Sequence, residues 1–363
     1  MPAHPFYRSL LALLVLTLGT IGARADVPVF ADLDIFEIEW AEDPQISPDG
    51  RYVVYRRMGF DVMRDGRRGN LWLLDMNSGT QRKLSTFEGD ESHPRWSGNS
   101  DRIAYVRKTS DGERTEIYLH WLDGAREARI TRLPASPTEL RWRPDGQALA
   151  FAMTVDAEPP ALAKRPKAPE GAAWAEPPRF TDLLYHERDG AGPIKPGFSH
   201  VFVVPAEGGT ARQISSGDYH HREPAWSADG KTLYVTGNRS DDWEYDFRNS
   251  ELYAFDVSDC GVKPVTRSSG PDKAPAASPD GRHIAWLGYD DKHQAYQLQR
   301  LRIARPDGSD RRELLPELDR SVSAFQWSAD GKGLYFSYDN HGRSHIAYVT
   351  LDGRRQDIAG DLG

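Results

Sequence analysis

One cysteine, Cys260, serves all 363 residues. It cannot close an intrachain disulfide, and a thiolate-ligated zinc site needs more such residues. Apolar runs are just as scarce. The most apolar stretch, Leu10 to Gly22, is thirteen residues long, short of what a helix needs to cross a ~30 Å hydrocarbon core. Nor is there an excess of basic charge: Lys and Arg number 46 against 54 Asp and Glu, a formal net charge of −8, which argues against the basic footprint of a nucleic-acid binder. Motifs for isolated chemistry are missing too. The chain contains no H-E-x-x-H, no Walker loop, no G-x-G-x-x-G and no G-x-S-x-G nucleophile elbow, so no metal or other cofactor is expected and no catalysis by this chain alone.

What is present begins with residues 1–25, where Arg8 precedes the apolar run and Ala23-Arg24-Ala25 offers small residues at a cleavage point. This reads as a secretory signal peptide. An exported, periplasmic or secreted protein is therefore expected; removing Arg8 and Arg24 takes the formal charge from −8 to −10.

Beyond it, one turn is written six times: QISPDGRYVVY at 45–55, RWSGNSDRIAY at 95–105, RWRPDGQALAF at 141–151, AWSADGKTLYV at 225–235, ASPDGRHIAW at 277–286 and QWSADGKGLYF at 326–336. Equivalent positions Ile46, Trp96, Trp142, Trp226, Ala277 and Trp327 are 50, 46, 84, 51 and 50 residues apart. Each copy joins a short strand, a four-residue turn and an alternating apolar strand. Pro presets φ, Asp bonds nearby backbone and Gly accepts positive φ, so the pattern dictates a hairpin. A second hairpin follows in every unit, as in NLWLLDMNSGTQRKLS and HVFVVPAEGGTARQIS. Four strands at a period near 50 residues predict an all-β fold, a β-propeller of six four-stranded, WD40-like blades over residues 26–363. The repeated tryptophans are then packing between blades.

The 84-residue interval holds one blade with a Pro/Ala-rich insertion at 156–197, in the third blade. Up-and-down connectivity puts the tight turns on one face. The other face receives the insertion, residues 60–69, 217–224 and 237–250, and this is where a binding surface is expected.

Within that face, Gly197-Phe198-Ser199-His200-Val201 comes nearest to an elbow but ends in Val and leads into a strand. His220 and His221 are strand neighbours that point apart, a poor start for a metal site. The candidate site is the segment Arg239, Asp241, Asp242, Trp243, Glu244, Tyr245 and Asp246, whose acids and aromatics suit a cationic group such as a peptide amino terminus. The competing expectation is a structural loop in which Arg239 and Arg248 neutralise these acids internally.

The opening LDIFEIEWAEDPQISPDGRYVVYRR, the W-S-x-D-G-K turns and GNRSDDWEYDFRNSELYAFDV resemble the propeller half of secreted prolyl oligopeptidase-type serine peptidases, in the dipeptidyl-peptidase and acylaminoacyl-peptidase branch. The resemblance, with its PD40-type repeats, covers residues 26–363. It implies a propeller that admits and docks short peptides for a C-terminal α/β-hydrolase domain that bears the catalytic triad and has no counterpart here. The alternative is a stand-alone TolB-like periplasmic scaffold that acts through protein contacts. Six blades form either a closed ring or, as the resemblance favours, a larger ring of seven cut short. An open ring would expose apolar blade faces and promote self-association.

Overall fold

A computed structural model describes residues 30–109, 114–157, 166–175, 184, 187–189, 192–194 and 196–362. The expected signal peptide lies outside the described residues. Two compact units are present, Met1–Trp40 with Gly59–Arg67, and Ala41–Met58 with Arg68–Gly363.

The smaller unit contains a 3-10 helix, Asp32–Glu37. Phe36 meets the edge of Phe60 at 6.3 Å, Trp40 packs on Phe60 at 5.4 Å, and the Arg67 guanidinium covers Trp40 at 5.9 Å. Residues 60–69, expected as a loop, are mostly paired strand: Tyr52–Asp61 runs to the turn and Gly66–Asp75 leaves it.

Six four-stranded antiparallel sheets follow the expected blade order. Blade 1 is Trp40–Ile46, Tyr52–Asp61, Gly66–Asp75 and Gln81–Lys83; blade 2 is Glu91–Trp96, Arg102–Lys108, Thr115–Trp121 and Arg126–Arg129. Blade 3 is Thr138–Trp142, Ala148–Asp156, Gly197–Pro205 and Arg212–Gln213; blade 4 is His221–Trp226, Thr232–Gly237, Glu251–Asp256 and Val262–Pro264. Blade 5 is Asp272–Ala277, Ile284–Gly288, Arg300–Ala304 and Arg312–Glu313; blade 6 is Val322–Trp327, Gly333–Asn340, Arg343–Thr350 and Arg355–Leu362. The insertion joins the second and third strands of blade 3, and its described part includes a small hairpin of Glu187–Arg188 with Gly192–Pro193.

The recurring turn is locked by its own side chains. Ser227 and Ser328 hydroxyls donate to Asp229 and Asp330 at 2.6 and 2.7 Å, and Gly230 and Gly331 both take φ of 68°, a region an L-residue enters only at a cost of about 1–2 kcal/mol. These serine hydrogen bonds hold the Asp229 and Asp330 carboxyls below the usual range. In blade 2, Ser100 occupies the glycine position at φ 59°.

Tryptophan joins the blades in a repeated way. The indole N–H of Trp96 donates to the Gln45 carbonyl at 2.9 Å, Trp142 to Arg95 at 2.9 Å, Trp226 to Arg141 at 3.1 Å and Trp327 to Ala276 at 2.9 Å. Each acceptor immediately precedes the equivalent position in the preceding blade, so a buried polar atom is satisfied while the ring fills the gap.

Five apolar clusters fill the five spaces between consecutive blades, from Val54, Leu71 and Trp96 at the first to Leu301, Trp327 and Phe336 at the last. Among the described residues no sixth cluster joins blade 6 to blade 1. Ile46, at the position where Trp226 is 7% exposed, is 68% exposed, and Tyr335 is 45% exposed where its counterpart Tyr234 is 4%. At these two positions the faces of the terminal blades are therefore open to solvent.

Candidate functional site

The loop between the second and third strands of blade 4 is shaped by Asn238. Its carboxamide oxygen accepts from the Ser240 amide and hydroxyl at 3.2 and 2.8 Å, and its nitrogen donates to the Asp246 carbonyl at 2.8 Å. Tight turns fill the interval, with the amides of Tyr245 and Asp246 donating to the Asp242 carbonyl. Asn side chains suit this work because they bond to backbone two residues on. At the loop entrance, a Cβ on Gly237 would lie 2.8 Å from the His220 carbonyl, so glycine permits the close approach of the blade 3 to blade 4 linker.

Arg239 leaves the loop and turns toward blade 4. Its Nη1 donates to His221 Nε2 at 3.0 Å, and its guanidinium lies 5.1 Å from the Tyr219 ring and 5.6 Å from that of Tyr253. Burial pushes the fully buried His221 down to about 3, and the Arg239 charge pushes the same way. His221 is thus neutral, with Nε2 as acceptor and the proton on Nδ1. His200 stacks on it at 5.7 Å.

Trp243 closes an aromatic trio, 6.1 Å from Phe198 and 6.0 Å from His220, which are themselves 5.3 Å apart. His220 Nδ1 accepts from the Ser199 amide at 3.1 Å, so the two adjacent histidines do different structural jobs. Ser199 sits buried in a strand, without the strand-to-helix turn of a nucleophile elbow.

The acids are placed differently from the competing expectation. Asp241 and Asp242 are exposed, Glu244 and Asp246 half-buried, and none of the four forms an ion pair among the described residues. Arg239 faces His221, and Arg248 reaches Asp291 at 3.9 Å. Tyr245 and Phe247 are 76% and 58% exposed beside them. The loop therefore presents uncompensated negative charge next to open aromatic surface, an arrangement able to hold an ammonium group by charge and ring contact.

A second polar feature went unseen in the sequence. Three residues before the aromatic position, each of the first five blades has a residue at positive φ: Asp43, His93, Glu139, Glu223 and Ala274. The first strands of blades 2, 3, 4 and 5 pack on one another in succession. Here the Glu139 carboxylate accepts from the Glu223 amide at 2.6 Å, and Glu223 from the Ala274 amide at 2.7 Å; Asp43 pairs with Arg95 at 2.7 Å. Burial raises the Glu139 carboxyl above the usual range, against the lowering effect of the Glu223 amide. The only sequence signal was the fixed spacing to the aromatic, because the residue types differ from blade to blade.

Comparison with known proteins matches residues 39–161 to the model described as TolB beta propeller domain, PD40. Dipeptidyl-peptidase 5 of Porphyromonas gingivalis is 23% identical over 84% of this chain and 46% of its own length. The uncharacterized peptidase YuxL of Bacillus subtilis is 25% identical over 56% of this chain and 30% of its own. The chain thus spans less than half the length of these curated relatives. Among solved structures, the acylaminoacyl peptidase of Pyrococcus horikoshii superposes with a TM-score of 0.67 at 16% identity, covering 90% of this chain and 47% of that one. The β-propeller domain of the Trilobed protease from Pyrococcus furiosus, described as having an open velcro topology, gives 0.59 at 16% identity over 88% and 85%. The chain folds as a six-bladed β-propeller, residues 39–161 of which match the PD40 model, and it is similar in sequence to dipeptidyl-peptidase 5 and to YuxL, among others.

Proposed function

We propose that this propeller is the docking and gating part of an exported serine peptidase, with peptide hydrolysis carried out by an α/β-hydrolase domain attached to it or bound in trans. Kinship with dipeptidyl-peptidase 5 supports a peptidase context. The observation that carries the docking role is the 238–248 loop, where Asp241, Asp242 and Glu244 have no ion-pair partner among the described residues and stand beside exposed Tyr245. A short peptide's ammonium group would be drawn to these carboxylates, with Trp243, Tyr245 and Asp246 shaping the loop and Arg239 anchoring its start. Holding the substrate this way is uniform binding, which acts on KM rather than kcat. In the reconstituted peptidase, replacing all three acids by their amides should raise KM for free-amino peptides about tenfold or more and leave acetylated peptides unaffected. An unchanged KM would sink the docking role.

A second reading has its own support in the TolB-domain match over residues 39–161 and in a solved putative TolB from Agrobacterium tumefaciens, TM-score 0.51 at 15% identity over 81% of this chain and 89% of that one. In it the propeller is a periplasmic scaffold working through protein contacts. Sequencing the gene past Gly363 separates the two: a G-x-S-x-G in frame supports the peptidase, and a stop with no hydrolase gene adjacent supports the scaffold.

A further inference from the structure

On the face that carries the 238–248 loop, the linker from blade 4 to blade 5 floors two adjoining open recesses of ≈ 620 and ≈ 550 Å³, which share Arg267, Ser268 and Ser269. The first is also lined by Arg239 and Tyr253, the second by Arg302, Arg311 and Arg312. Five guanidiniums along one groove stand out in a chain whose formal net charge is −8.

Their partners are unevenly distributed. Arg302 is held by Asp272 at 3.4 Å and Asp290 at 3.1 Å, Arg311 shares the same Asp290 at 3.5 Å, and Arg312 reaches Asp310 at 3.3 Å. Arg239 donates to the imidazole of His221 and lies over the rings of Tyr219 and Tyr253, and neither it nor Arg267 forms an ion pair among the described residues. The one carboxylate in the first recess, Glu251, is already engaged by the Thr266 hydroxyl and the Ser268 amide. The two cations without an acid of their own thus line the same recess, and a guanidinium fork is suited to paired hydrogen bonds with a planar oxyanion.

We infer that the Arg239–Arg267 recess, continued toward Arg302 and Arg311, is a binding site for the carboxylate of an acidic peptide. The inference rests on the peptide-docking reading and extends it. The loop acids attract the amino end of a peptide, and this groove takes a negative group, either the C-terminal carboxylate or an Asp or Glu side chain. An acidic loop at one end and a cationic groove at the other would select peptides that carry both signs.

The test is calorimetric titration of the chain with three blocked probes: acetyl-triglycine with a free carboxylate, acetyl-Gly-Glu-Gly amide with a side-chain carboxylate only, and acetyl-triglycine amide with neither. At least one carboxylate probe should bind, weaken as NaCl is raised, and lose tenfold or more in affinity in Arg267→Gln; the neutral probe should not bind. Which carboxylate binds identifies the source of the charge. Arg267 is exposed and forms no ion pair among the described residues, so this variant should keep the parent's melting curve; Arg311→Gln is a second variant expected to weaken binding less, because Asp290 keeps Arg302. Absence of binding by both carboxylate probes, equal binding of the neutral probe, or an unaltered affinity in Arg267→Gln overturns the site. Because all three probes are acetylated, failure here leaves the amino-end role of Asp241, Asp242 and Glu244 to its own experiment.

Discussion

Trp327 donates its indole N–H to the Ala276 carbonyl at 2.9 Å, across the boundary between blades 5 and 6. Trp226, Trp142 and Trp96 make the same bond two, three and four blades earlier. Polar anchoring and apolar filling are thereby combined in one side chain, and the repeat unit of the sequence becomes the repeat unit of cohesion.

Trp327→Phe keeps most of the ring and removes the donor. A loss of about 1–2 kcal/mol is expected, from one hydrogen bond and a small void, and Trp327→Ala should cost about 3–5 kcal/mol. Urea unfolding measures both; equal stability of the Phe variant and the parent would refute the anchoring role.

Tyr335 and Tyr234 hold equivalent positions with opposite environments, 45% and 4% exposed. Tyr335→Lys should leave stability within about 1 kcal/mol, as surface changes do, whereas Tyr234→Lys should destabilise severely by burying a charge. The uncovered faces of blades 1 and 6 lead us to expect association of the isolated chain at rising concentration, reduced by Tyr335→Lys. Light scattering on a sizing column decides it: a monomer at every concentration argues against apolar pairing of these faces.

Acid should weaken the fold. His221 is depressed to about 3 in the native state, while the unfolded imidazole titrates near 6.5. Its stabilising contribution is therefore complete above about pH 6.5 and lost as pH falls from there toward 3, with a slope of up to about 1.4 kcal/mol per pH unit for one group. Burial also lowers His93, His120 and His200, so they act in the same direction. His221→Gln should reduce the slope between pH 6.5 and 4 by about one proton, as read from unfolding curves taken at each pH; an identical slope would exclude His221 as the group responsible.

Since Asp241, Asp242 and Glu244 have no ion-pair partners among the described residues, their joint replacement by amides should shift stability by no more than about 0.5 kcal/mol. A thermal melt that drops well beyond this would mark the loop acids as structural and undercut their use for substrate.

The scaffold was written locally. P-D-G and A-D-G turns, alternating apolar positions and a period near 50 residues identify four strands and their order in each blade, because turn chemistry and strand pairing act over a few residues. For the same reason the sequence marks the 84-residue interval as a blade with an insertion, and the segment 238–248 as a loop with unusual charge. What it could not decide was who meets whom. Arg239 pairs with His221 rather than with its neighbouring acids, Arg267 lines the same recess with no ion pair among the described residues, and Glu139 caps a backbone amide 84 positions away. Those contacts arise only when separate blades pack and their linkers converge, and Coulomb and hydrogen-bond partners are chosen by that distance in space, which no spacing along the chain encodes. The open junction is of the same kind: Ile46 and Tyr335 read as core residues in their own repeats, and only the tertiary arrangement leaves them uncovered.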